Sequence, residues 1–219
     1  MEYVVRAPKL PQSAPPVLVI LHGYGADEHD LFSISEQLDD RLLIISLRAP
    51  IQLAGGGYAW YHLEQTIKGL MADDESRHQS EQLLLAAIPE IIEAVGGDAS
   101  KLHLMGFSQG AAISYALLSR KAEFTGDTKL RSLIAMSGYI PRDVIPTLRA
   151  ETFTEFPVLI THGEFDDLVP AIALDEAESL LRSRGANVIA KLYETGHGLL
   201  PETISDISKW LTKRLDNPI

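Results

Sequence analysis

Lys101–Met105 (KLHLM) runs into Gly106-Phe107-Ser108-Gln109-Gly110, and Ala111, Ala112, Ile113, Tyr115, Ala116 and Leu117 follow. A short apolar run that ends in a glycine-bracketed serine and continues as a helical pattern is a strand, a tight turn and a helix. The turn forces the serine into a strained backbone conformation, and a Cβ on either flanking residue would clash. Ala111 and Ala112 are small enough to let the helix pack close to a sheet. The same residues also fit a glycine-rich helix N-terminus that Ser108 caps or that holds an anion.

Working outward, similar runs recur at Val17–Leu21, Leu42–Leu47, Leu130–Met136, Val158–Thr161 and Val188–Tyr193. Most are nearly continuous in apolar residues, the pattern of parallel strands covered on both faces. Helical spacing fills the gaps: Leu85, Ile88, Ile91 and Val95 share one face, as do Leu174, Ala177 and Leu181, and Ile204, Ile207 and Leu211. Pro89 predicts a kink or a restart in the first of these helices. Tyr3–Arg6 reads as an outer antiparallel strand. Strand–helix alternation along the whole chain predicts one α/β domain over residues 1–219, with a mostly parallel central sheet and helices on both faces. The longest irregular stretch, about 49–73, carries Gly55-Gly56-Gly57 and then Tyr58, Trp60, Tyr61 and Leu63. It reads as a lid-like loop.

In an open α/β sheet, sites lie beyond the carboxyl ends of the strands. Val158–Thr161 leads into His162-Gly163-Glu164-Phe165-Asp166-Asp167, where either aspartate could orient an imidazole and the other would be a turn or cap residue. Val188–Tyr193 leads into Glu194-Thr195-Gly196-His197-Gly198, which leaves His197 unobstructed as a general base. Val17–Leu21 leads into His22-Gly23-Tyr24-Gly25, a turn that can aim the Tyr24 N–H at a developing oxyanion. The Gln109 N–H, directly after Ser108, would be the second donor. The order Ser108, Asp166, His197, each just past a strand, is that of an α/β-hydrolase and of neither chymotrypsin-like nor subtilisin-like proteases.

These motifs, Leu21-His22-Gly23-Tyr24-Gly25, Gly106-Phe107-Ser108-Gln109-Gly110, His162-Gly163 with Asp166 and Val169-Pro170, and Gly196-His197, resemble the phospholipase/carboxylesterase family, which includes the acyl-protein thioesterases. The resemblance spans almost the whole chain. It implies an α/β-hydrolase fold, Ser108 as nucleophile, Asp166 rather than Asp167 as the acid, His197 as the base, and the amides of Tyr24 and Gln109 as oxyanion donors. It also implies that Leu168 borders the acyl site and that Ala59–Tyr61 matches the aromatic segment ahead of the lid. Trp60, Tyr61, Leu63, Leu70 and Met71 would roof an acyl pocket, and each is equally consistent with core packing or a partner surface. Asp167 and Gly198 stand where thioesterase members often carry Pro and Ser, and the Gly55–Gly57 run is unlike their lids. The expectation is therefore a carboxylesterase or lysophospholipase-like serine hydrolase. An acyl-protein thioesterase and a non-catalytic binding protein of the same fold are the alternatives.

The 219 residues hold 19 Lys and Arg against 30 Asp and Glu, a formal charge of −11 with no basic patch, which argues against nucleic-acid binding. There is no cysteine, so disulfides, thiolate metal sites, iron–sulfur clusters and a cysteine nucleophile are all excluded. No histidine pair has metal-ligand spacing with a carboxylate, and neither metal nor cofactor is expected. The first sixteen residues lack the apolar core of a secretory signal and no window of eighteen is apolar throughout, so a cytoplasmic protein without a transmembrane segment is expected. The substrate would be a small-molecule ester or acyl compound. An aromatic lid can double as a contact surface, which makes a homodimer compatible with the sequence.

Overall fold

Every residue of Pro16–Leu21 is buried in the computed structural model, which describes residues 1–67, 69–149 and 153–217. Strands β1 (Tyr3–Arg6), β2 (Pro16–Leu21) and β3 (Leu43–Leu47) come first, then two small hairpins, β4 (Ile51–Gln52) with β5 (Tyr58–Ala59) and β6 (Leu63–Thr66) with β7 (Gly69–Ala72). Helix α1 (Asp74–Ala94), strand β8 (Asp98–Phe107), helix α2 (Gln109–Ser119) and strand β9 (Leu130–Met136) follow. Strand β10 (Pro157–Gly163), helix α3 (Ile172–Ser183), strand β11 (Asn187–Tyr193) and helix α4 (Pro201–Asp216) complete the chain. Short 3₁₀ turns occupy Leu31–Gln37, Lys121–Glu123 and Ile145–Thr147.

One sheet of seven strands runs in the order β1-β3-β2-β8-β9-β10-β11. All neighbours are parallel except β1, which pairs antiparallel with β3 as the edge strand expected from Tyr3–Arg6. Alternation along β2 feeds two cores. Val17, Val19 and Leu21 pack under α1, α2 and α3, while Leu18 and Ile20 pack with Leu31, Ile34, Ile207, Trp210 and Leu211 on the other face. Helices therefore cover both faces of a parallel sheet, the arrangement of an α/β-hydrolase.

Two expectations are corrected. Pro89 lies inside a continuous α1 and does not restart it. Proline removes one backbone hydrogen bond, but Ile88, Ile91 and Ile92 around it are buried against the sheet and hold the helix together. The stretch 49–73 is not an irregular loop: it forms the two hairpins, with Gly56 and Gly57 at φ 95° and 73° in the first turn. Residue 68 and the Leu70 side chain lie outside what the structure describes. Among the described residues, no helix is long and apolar enough to cross a membrane.

Candidate active site

Ser108 sits between β8 and α2 with φ 54° and ψ −115°, in the left-handed half of backbone space that a serine rarely adopts. Its neighbours explain how the strain is held. A Cβ on Gly106 would fall 2.3 Å from the Gly110 carbonyl oxygen, and one on Gly110 would fall 2.2 Å from that of Leu21. Both contacts are backbone on backbone, so neither glycine can be replaced without moving the turn. The Ser108 N–H donates to the Met136 carbonyl at 2.8 Å, which ties the turn to the end of β9.

The ends of β10 and β11 carry the other two groups. Glu164 N–H donates to Tyr193 O at 2.8 Å and Phe165 N–H to Thr195 O at 2.9 Å, so the two loops leave the sheet zipped together. Their approach is tight enough that a Cβ on Gly163 would meet Gly196 O at 2.1 Å. The Ser108 hydroxyl donates to His197 Nε2 at 2.8 Å, and His197 Nδ1–H donates to Asp166 Oδ2 at 2.7 Å. The second carboxylate oxygen of Asp166 accepts from the N–H groups of Leu168 and Val169 at 3.0 and 2.9 Å. Burial pushes the Asp166 carboxyl up; the amides of Val169 and Leu168 and the His197 ring more than offset this and hold it below the usual carboxylate range. Asp167 is exposed. The His162 ring, buried beside this loop, donates to Val169 O at 2.8 Å and lies 3.4 Å from Asp166 Oδ2.

The turn after β2 lies against Ser108: a Cβ on Gly23 would be 3.4 Å from the Ser108 Cβ and 3.1 Å from Phe107. Among the described residues, neither Tyr24 N–H nor Gln109 N–H has an acceptor. His22 fixes this turn from beneath. Its Nδ1–H donates to Gly23 O at 2.7 Å, and its Nε2 accepts from Ala49 N–H at 3.1 Å. Burial holds the imidazole pKa below its ordinary value, which keeps the ring neutral and able to accept.

Residue reasoning missed the Gln109 side chain. It is buried, accepts from Trp60 N–H at 2.7 Å and donates to Tyr61 O at 2.7 Å. Trp60 Nε1–H in turn donates to His22 O at 2.8 Å, and the two rings lie 5.4 Å apart. The hairpin β4–β5 completes the lattice, with Gly25 N–H donating to Tyr58 O and Tyr58 N–H to Ala26 O at 2.9 and 2.8 Å. Gly57 permits this approach, since a Cβ there would sit 1.9 Å from Gly25 O. No sequence signal marks a residue whose amide bridges two loops.

The expected acyl-site residues separate. Trp60 is fully buried, and its indole braces the His22 turn. Leu63 is half-buried against the core that includes α1, α2 and α3. Leu168 is 71% exposed beside Asp166, and Phe165, Tyr24 and Ile172 are exposed with it. Together the groups form a proton-transfer chain ending at a serine hydroxyl, beside two unused amide donors and an apolar rim.

A model of the phospholipase/carboxylesterase family matches residues 2–215. The chain is 28% identical over 211 residues to acyl-protein thioesterase 1 homolog 1 of Dictyostelium discoideum, covering 90% of each protein. Among solved structures it resembles the Bacillus cereus carboxylesterase, with a TM-score of 0.78 and 23% identity over 97% of this chain and 94% of that one. Acyl-protein thioesterase 2 of Zea mays aligns with a TM-score of 0.74 and 24% identity, covering 98% and 99%.

Proposed function

The chain belongs to the phospholipase/carboxylesterase family, and we propose that it is a serine hydrolase that cleaves carboxylic esters through an acyl-enzyme. The observation that carries this reading is the continuous hydrogen-bonded path from Ser108 Oγ through His197 to Asp166. His197 Nε2 takes the hydroxyl proton as Ser108 Oγ bonds to the ester carbonyl carbon. Asp166 keeps the ring in the tautomer that can accept and stabilises the imidazolium that forms. The carbonyl oxygen becomes an oxyanion held by the N–H groups of Tyr24 and Gln109, and losing one such donor costs about 3 kcal/mol of barrier. The C–O bond to the alcohol breaks as His197 returns the proton to it. Water then repeats the sequence on the acyl-Ser108 ester, with His197 again the base, and releases the acid.

The reading extends to one α/β-hydrolase domain over residues 1–219, with the hairpins of 49–73 as a lid over the site. Its substrate is a small ester or acyl compound whose acyl part contacts Leu168 at the apolar rim. The absence of cysteine supports a reducing compartment such as the cytoplasm, the charge of −11 argues against nucleic-acid partners, and the exposed rim is compatible with a homodimer. The test is p-nitrophenyl butyrate hydrolysis by the wild type and Ser108→Ala. Turnover in the first and none in the folded second supports the esterase; equal rates overturn it, and no turnover in either moves the binding-protein reading ahead. A butyryl thioester run in parallel separates esterase from thioesterase by their kcat/KM.

A further inference from the structure

A cavity of about 320 Å³ opens at the opposite end of the sheet from Ser108. It lies where the parallel strands enter, among Pro16 of β2, Lys101 and His103 of β8, Arg131 of β9 and Pro157 of β10, under the last turn of α4. His103 and Ser108 are five residues apart on one extended path, about 16 Å, so the two sites do not overlap.

The chain carries a charge of −11, yet four of its cations, Arg41, Lys101, Arg131 and Arg214, line this one cavity. Two of them are matched inside the protein. Arg41 pairs with Asp39 and Asp216 at 2.8 Å each, and Lys101 pairs with Asp98 at 2.8 Å. Arg131 Nε donates to Ser100 O at 2.7 Å. Arg214 differs from all three. Among the described residues no carboxylate is within ion-pair distance of it, no acceptor is within hydrogen-bond reach, and its Nε is buried without a partner. The Trp210 ring centroid lies 5.7 Å from its guanidinium carbon. Its terminal amino groups, with no carboxylate partner among the described residues, are open to an anion held in the cavity.

Donors surround this cavity, and proline rings and Leu215 supply its apolar surface. A guanidinium in that setting selects an anion with several oxygens and an attached hydrocarbon body. We propose that the cavity is a binding site for a small organic phosphate monoester, its phosphoryl oxygens on Arg214 and Lys101 and its carbon body on Pro157 and Leu215. This site is independent of the ester-cleaving centre and requires nothing of it.

The experiment is isothermal titration calorimetry of the intact protein with n-butyl phosphate, inorganic phosphate and butan-1-ol, with p-nitrophenyl butyrate hydrolysis followed alongside. The expected result is saturable binding of one n-butyl phosphate per chain, at least threefold tighter than inorganic phosphate and undetectable for butan-1-ol. Arg214→Gln should weaken it tenfold or more, and Lys101→Gln, on a different element and half exposed, about threefold. Hydrolysis should be unchanged in both variants and uninhibited by the phosphate. Absence of binding, equal binding by both variants and wild type, or inorganic phosphate binding as tightly as the ester would overturn the proposal. Competitive inhibition of hydrolysis would overturn it too, by locating the phosphate at Ser108.

Discussion

Asp166 and Asp167 are the same residue type side by side, and what separates them is invisible in one dimension. The N–H groups of Leu168 and Val169 close onto Asp166 Oδ1, leaving Oδ2 for His197, while Asp167 points to solvent. Neighbouring letters could not choose between them; the family resemblance did. Ser108 and His197 stood out because each lies between glycines just past a strand. For Trp60 the sequence left an acyl-site and a core reading equally open, because an aromatic after a glycine run looks the same whether it turns outward or inward; its burial favours the core reading. In Asp166→Asn, the amide oxygen can still accept from Leu168 and Val169, which turns the NH₂ toward His197. The ring must then accept at Nδ1 and carry its proton on Nε2, where it cannot receive one from Ser108. The expected outcome is a fall in kcat of about 10⁴ with KM little changed, measured on p-nitrophenyl butyrate.

At the scale of elements, the strands and helices were readable because burial on both faces writes long apolar runs. The segment 49–73 was not, because strands of two and four residues are too short to show a period. Its order comes from outside itself, through the Gln109 amide and the Gly25–Tyr58 and Ala26–Tyr58 backbone pairs. The residue after the proposed nucleophile thus fastens the first hairpin to the catalytic turn. Gln109→Ala removes both side-chain bonds and leaves the Trp60 N–H and the Tyr61 carbonyl buried without partners. It should destabilise the protein by about 2–4 kcal/mol, read from urea unfolding. Amide exchange at Trp60 should accelerate, while the backbone N–H of residue 109 remains available.

For the whole molecule, the buried histidines link stability to pH. Burial, reinforced by the charge of Arg131, lowers the His103 pKa to about 4, against an ordinary value near 6.5. The unfolded chain therefore takes up this proton at higher pH than the folded one does. The stability tied to the neutral ring is complete above about 6.5 and is lost as pH falls toward 4. His22, also lowered by burial, acts in the same direction. Unfolding free energy should drop by about 1 kcal/mol between pH 7.5 and 5.5 from His103 alone, and His103→Asn should flatten that slope. At the other end of the sheet, the strained turn at Ser108 and the hydrogen-bonded path to Asp166 meet in one hydroxyl, the proposed nucleophile. Intact mass after exposure to a small fluorophosphonate reads whether that hydroxyl is activated. A single adduct is expected on the wild type and none on Ser108→Ala. An unmodified, folded wild type, or an adduct that persists in Ser108→Ala, would contradict it.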